Sequence, residues 1–279
     1  MKTNKLSALF FLFFFLFSGC NNDFEISSPK NDSSPKNAKL KRISSIHLGF
    51  SKEEISFKLF VTNSKTIWYV TSNYEYDNLG RISKVSQPMY EDGKINGVIS
   101  YSIYTYNDKN QLEKIAYYNA NLYAGFLNLQ SESYSYDDNG NKIKTLIEYP
   151  RINQMDSVLF FYENDRLVRE NHYDSGIFFN GDTAYTGLIT YIEYEYDHEG
   201  NLIKETHFSG TDNNPYNFCL HSYQNGLIVK TEIFVFSNNQ KIREIRRYYD
   251  DNDNLTYIES QELSLLSSAL SYISKYEYY

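Results

Sequence analysis

Cysteine is nearly absent. The 279-residue chain holds two, Cys20 and Cys219, so a framework of several disulfides is excluded. If Cys20 is consumed by lipidation, Cys219 has no intramolecular partner and packing with backbone pairing must hold the fold; otherwise the two can pair. Signatures of common chemistry are missing as well. There is no GxSxG elbow, no phosphate-binding loop and no CxxC, and the five histidines (47, 172, 198, 207 and 221) show no HExxH spacing. No catalytic residue is therefore assigned, and neither a cofactor nor a metal is expected. A formal charge of −8 argues against nucleic acid as a partner, because a general nucleic-acid binder carries a basic patch. Extended helical periodicity is scarce; the one candidate is 262–269, ELSLLSSA, a short helix or an apolar loop.

What the chain has in quantity is strand-forming aromatics, 28 Tyr and 19 Phe against 5 Pro. They recur in a unit best seen at 191–208, YIEYEYDHEGNLIKETHF, where two alternating runs flank a turn in the pattern of one β-hairpin. Asp197 follows the last aromatic, Tyr196; Gly200 stands fourth, before Asn201 and Leu202. The same frame fits Tyr76-Asp77 to Gly80, Tyr106-Asn107 to Asn110, Tyr136-Asp137 to Gly140 and Tyr249-Asp250 to Asp253. An Asx side chain accepts a hydrogen bond from the N–H two residues on, and the fourth residue must take positive φ, which Gly, Asn and Asp do cheaply. That chemistry also accounts for 250–254, DDNDN, which starts like a calcium loop but has Leu255 and Gln261 where such a loop needs Gly and Glu. Two shorter closures, at Asn164-Asp165 after Tyr162 and at Asn225-Gly226 after Tyr223, fit two-residue type I′ turns.

The anchoring tyrosines 76, 106, 136, 162, 196, 223 and 249 are spaced by 30, 30, 26, 34, 27 and 26 residues, a repeat architecture. The expected fold is all-β: a curled antiparallel meander of about seven hairpins, with half-repeats at 40–46 and 271–279 placed to pair Ile43 with Tyr276 and close the ring. Register counted from the turns sets Tyr74 opposite Lys84, Tyr104 opposite Lys114, Tyr134 opposite Lys144 and Tyr194 opposite Lys204. It also sets Phe160 opposite Arg169, His221 opposite Lys230 and Arg247 opposite Tyr257. The tyrosine face, with Tyr74, Tyr104, Tyr134 and Tyr194, is either a surface for stacking on sugar rings or peptide, or the structural lining of the concave side; recurrence in every repeat favours the lining.

The turns gather at one end, so the longer connections at 87–97, 120–129, 150–156, 175–187, 209–216 and 261–270 gather at the other. Leu122, Tyr123 and Phe126 in one, and Ile177, Phe178, Phe179 and Tyr185 in another, form either a binding rim or a plug over the open end.

The chain opens with Lys2 and Lys5, an apolar run from Leu9 to Phe17, and Phe17-Ser18-Gly19-Cys20, which divides it into a signal peptide (1–19), a polar tether (20–38) and a hairpin domain (39–279). Loss of 1–19 removes two lysines and no acid, taking −8 to −10. The Phe-Ser-Gly-Cys stretch resembles a lipobox, which implies a lipidated Cys20; Asp23 and Glu25 behind it are similar to the acidic signal that displays Bacteroidota lipoproteins on the cell surface.

The Tyr-Asp-x-x-Gly-x-Leu/Ile units, over roughly 72–257, resemble YD repeats, the hairpin units of RHS proteins and of many Bacteroidota lipoproteins. The resemblance implies a curled β-hairpin array, and brings no catalytic residues. The functional expectation is a non-catalytic, lipid-anchored protein of the outer membrane, exposed at the cell surface and binding a glycan or another envelope protein. Two alternatives stand beside it. One is a glycan-active enzyme with a loop-borne site. The other is a transmembrane β-barrel, with Tyr279 resembling an outer-membrane insertion signal; charges on both faces of many strands, such as Glu195 and Lys204, weigh against it.

Overall fold

Turn chemistry decides where the chain reverses. In the computed structural model, which describes residues 40–50, 69–91, 94–121, 125–174, 187–263 and 270–278, the Asp197 Oδ1 accepts from the N–H of Glu199 (2.9 Å) and of Asn201 (2.8 Å). Asp77, Asn107 and Asp250 repeat that double acceptance, and Asp137 accepts from Asn141. The fourth residue has positive φ in every copy: Gly80, Asn110, Gly140, Gly200 and Asp253. Gly200 has a second reason to lack a side chain, because a Cβ there would sit 3.0 Å from the Arg166 guanidinium. Asn164, Asp165, Asn225 and Gly226 all have positive φ, the type I′ pair at both short turns.

These reversals produce sixteen strands. They are β1 (Leu40–Phe50), β2 (Tyr69–Tyr76), β3 (Ile82–Glu91), β4 (Lys94–Tyr106), β5 (Leu112–Asn121), β6 (Gly125–Tyr136), β7 (Lys142–Tyr149) and β8 (Gln154–Glu163). They continue as β9 (Arg166–Asp174), β10 (Gly187–Tyr196), β11 (Leu202–Ser209), β12 (Pro215–Gln224), β13 (Leu227–Val235), β14 (Gln240–Tyr249), β15 (Leu255–Glu262) and β16 (Leu270–Tyr278). Each pairs antiparallel with its neighbours in sequence, and β1 pairs with β16, so the meander closes into a barrel. Ile43 lies opposite Tyr276, the pair the half-repeats point to.

One residue type stitches the hairpins to each other. Between hairpins the ladder stops short of the turns; for β3 and β4 its last pair is Lys84 with Ile103, two residues past Ile82. The Tyr106 hydroxyl donates to the Ile82 carbonyl at 2.8 Å, supplying the donor that the ladder lacks. The same bond runs from Tyr76 to Leu40, Tyr136 to Leu112, Tyr162 to Lys142, Tyr196 to Leu167, Tyr223 to Leu202, Tyr249 to Ile228 and Tyr278 to Leu255. Eight phenols therefore ring the turn end, and Tyr278 joins the seven tyrosines that the spacing identifies.

Register departs from the sequence reading by one residue. A bulge just after each turn places Leu202 opposite Tyr196 and Lys204 opposite Glu195, leaving Ile203 as the extra residue. Lys84 accordingly meets Glu75, Lys114 meets Thr105, Lys144 meets Ser135, Arg169 meets Phe161, Lys230 meets Ser222, and Arg247 meets Ile258. All but Arg247 thus point away from the tyrosine face; Arg247, opposite the buried Ile258, stays on it and donates to the Thr231 hydroxyl at 2.9 Å. Two further corrections concern connections. Residues 87–97 and 120–129 are largely strand, with Glu91 facing Lys94 and Asn121 facing Gly125, because alternating apolar residues carry the ladder onward. Pro88 sits at a register shift, where its missing N–H costs no ladder bond. Glu262 belongs to β15 and is not part of a helix; 264–269 lie outside the described residues.

Candidate functional site

Alternation fixes which side chains point inward. Cys219, Thr231, Ile245 and Ser260 are fully buried and share one face through the pairs Cys219 with Ile233, Thr231 with Ile245, and Ile245 with Ser260. In a single closed sheet the fully buried face is the inner one. Tyr74 and Tyr134 lie on that face and are buried, and Tyr104 and Tyr194 are half-buried, so the tyrosine face is the lining of the barrel.

The inner face is polar in places where a soluble core would be apolar. Glu205 and His207 on β11 and His221 on β12 are buried together, with the His221 Nε2 2.9 Å from Glu205 Oε1 and the His207 Nε2 3.8 Å from Oε2. The His221 Nδ1 lies 3.0 Å from the Thr231 hydroxyl, which also accepts from Arg247 at 2.9 Å. Next to them, Arg243 donates to Ser260 at 2.8 Å. Apolar clusters fill between, Cys219, Ile233, Ile245 and Ile258 in one and Val158, Phe160 and Leu167 in the other.

The outer face divides in two. Over β4 to β8 it exposes large apolar groups: Ile95, Ile99 and Ile103 on β4, Phe126 on β6, and Met155 and Phe161 on β8. Tyr101 stacks on Tyr118 and tilts against Phe126, both at 4.8 Å between centroids. Such pairs contribute about 0.5–1.5 kcal/mol beyond burial. Cations here, Lys114 and Lys144, stand beside the turns. Over β13 to β16 the outer face carries a chain of ions. Lys230 meets Glu232 at 2.9 Å, Lys241 bridges Glu232 (2.9 Å) and Glu244 (2.6 Å), and Arg246 meets Glu244 at 2.6 Å. Lys275 meets Glu277 at 3.2 Å on β16.

Of the loop residues singled out above, Phe126 is in β6 and half-exposed, not on a loop. Leu122, Tyr123, Ile177, Phe178, Phe179, Tyr185 and Cys20 lie outside the described residues. The buried Glu205, His207 and His221 carry no sequence signature. Their only common signal is that each falls on an inward position of the repeat.

No family model matches the chain, and no curated protein does. Among solved structures, a porin-like protein from Bacteroides uniformis superposes with a TM-score of 0.50 at 9% identity, covering 86% of this chain and 98% of that one. The chain is similar in fold to a porin-like protein. A second porin-like protein, from Bacteroides vulgatus, matches with a TM-score of 0.34 at 12% identity over 87% of this chain and 99% of that one. A TcdB2-TccC3-Cdc42 structure matches with a TM-score of 0.32 at 14% identity over 83% of this chain and 11% of that one. The all-β meander read from the sequence is thus a closed barrel.

Proposed function

We propose that the protein is a non-enzymatic transmembrane β-barrel of the outer membrane. The observation that carries this reading is inverted polarity: Ile95, Ile99, Ile103, Phe126, Met155 and Phe161 are exposed on the outer wall while Glu205, His207, Arg243 and Thr231 are buried on the inner one. Two further features suit a bilayer. Closure through β1 and β16 leaves no edge with unsatisfied backbone groups, a requirement in hydrocarbon. Strands of 8 to 13 residues match the ~9–11 tilted residues that span one.

A second reading has its own observation. The ion chain on β13 and β14 suits water, which favours a barrel held outside the bilayer by a lipid on Cys20. Carbonate-washed membranes from cells expressing the full chain and its Cys20→Ser variant separate the two. The barrel reading expects both proteins to stay in the washed membrane and to need detergent for extraction. Release of the variant into the soluble fraction would establish the anchored reading instead.

A further inference from the structure

We propose that the charged outer wall of β13 to β15 is covered by the same wall of a second copy of this chain, so that the barrel pairs as a dimer. The inference rests on the transmembrane reading, under which the outer wall at mid-height meets lipid unless protein covers it. Over most hairpins the outward ion pairs stay beside the turns: Glu75 with Lys84, Glu193 with Arg169 and Glu195 with Lys204. Five residues before the anchoring Tyr106, Tyr196 and Tyr223, outward positions hold Tyr101, Tyr191 and Phe218. These rings stack on Tyr118, Phe208 and Phe234 with centroids 4.8, 4.6 and 4.8 Å apart. The same position before Tyr249 holds Glu244.

Around Glu244 the charges climb the wall. They run from Lys230 beside the turn, through Glu232 and Arg246, to Glu244 and to Lys241, which lies opposite Phe234 at the level of the stacked rings. Lysine and arginine are the costliest residues on a lipid-facing strand near the bilayer midplane, so this strip needs a polar cover. Its charges fit a copy of itself. Lys230, Lys241 and Arg246 balance Glu232, Glu244 and Glu259, leaving no net charge to draw a partner of one sign, and the signs alternate along β14 in Lys241, Glu244 and Arg246. Glu259 stands directly opposite Arg246 on β15. A twofold axis parallel to the barrel axis and passing between β14 and β15 therefore sets Arg246 of each copy against Glu259 of the other, the self-complementary contact that a symmetric dimer requires. The Tyr248 hydroxyl donates to Glu259 at 3.1 Å and steadies that carboxylate, and Tyr248 with Tyr257 opposite it adds aromatic surface of the kind protein interfaces concentrate.

Light scattering of the detergent-solubilised full chain reads the mass, and charge reversal locates the contact. Arg246→Glu gives a chain with acids at both contact positions, and Glu259→Arg gives one with cations at both. Wild type is expected at the mass of two chains and each variant alone at the mass of one. An equal mixture of the variants is expected to return to two, because each chain then meets its complement at both contacts. Damage confined to one barrel would not be repaired by adding a different chain. Variants that stay paired when alone, or a mixture that stays single, would overturn the proposal. If the variants do not fold, two differently tagged wild-type chains expressed together serve instead, and failure of one to retrieve the other from solubilised membranes overturns it as well. A wild-type protein of single mass that resists the carbonate wash overturns the dimer alone, whereas release by the wash removes the transmembrane reading and the dimer together.

Discussion

The outer walls of β4 to β8 and of β13 to β16 are built from the same hairpin and differ in what they show to their surroundings. The first exposes Ile95 at 55% and Ile99 at 45%, while the second sets Glu232 directly opposite Glu244 and bridges them with Lys241. Turns, tyrosine bonds and bulges are shared, so the repeat does not dictate the difference. What differs is the outward position of each strand. The comparison teaches that one repeat can carry two kinds of outer wall: on the proposed reading the apolar sector suits lipid, and the ion chain suits water or another polar surface.

The largest effect should come from placing a charge in the apolar sector. Ile99→Lys is expected to destabilise the barrel by about 2–4 kcal/mol if that sector faces lipid, since this is the cost of a lysine near the bilayer midplane. Gln261→Lys, on the outer face of β15 opposite Glu244, is expected to change stability by no more than about 0.5 kcal/mol. Urea unfolding of both variants in lipid vesicles measures the difference. Equal and small effects would mean that both walls face water, and would break the comparison.

How much of this was legible in the sequence follows from the range over which each interaction acts. Asp197, Gly200 and their equivalents announce turns through bonds made within four residues, and those turns are where the sequence puts them. The half-repeats at Ile43 and Tyr276 likewise announced closure. The bulge residue Ile203 was not legible, because a second register shift beyond the turn leaves no compositional mark, and missing it turned Glu195 with Lys204 into an aromatic pairing. Nor was the tyrosine ring: Tyr196 reaches Leu167 across 29 residues, and local pattern cannot show which carbonyl lacks a partner. The cluster of Glu205, His207 and His221 depends on two strands aligning at a particular register, which single-strand alternation does not reveal. Charges on both faces of the strands led the sequence reading to set the barrel aside. Resolved by wall, those outward charges pair on β2 and β3, on β9 to β11 and along the ion chain of β13 and β14, and thin out over β4 to β8.

A middle-sized effect sharpens the comparison from inside. Tyr136 serves the apolar wall by donating to Leu112 at 2.7 Å, and Tyr249 serves the charged wall by donating to Ile228 at 2.9 Å. Tyr136→Phe and Tyr249→Phe each remove one neutral hydrogen bond and are expected to cost about 0.5–1.5 kcal/mol. The costs should match, since both phenols point inward and the walls differ outside. Urea midpoints that differ several-fold between the two variants would show that the asymmetry extends through the wall.

The smallest effect concerns the turns, which stand beyond both walls. Hydrogen bonds from the Asn254 side chain and backbone hold the Asp250 carboxyl below the ordinary carboxylate range. For Asp137, partial desolvation pushes the carboxyl up but is outweighed by the backbone and side-chain bonds from Asn141, so it too is lowered. A carboxyl lowered by folding takes up its proton at higher pH in the unfolded chain than in the folded one. Its stabilisation is therefore complete above the unfolded value of about 3.9, and is lost as the pH falls through the folded value. Asp137→Asn and Asp250→Asn should each flatten the acid decline of the urea midpoint, slightly and to the same degree, because an Asn in the same seat, as at Asn107, keeps the bonds to the N–H groups of Lys109 and Gln111 without titrating. Measured between pH 2 and pH 6, a flattening confined to Asp250→Asn would mean that the apolar wall's surroundings reach up to its turns. Equal flattening would place all the turns in water and confine the difference between the walls to the strands.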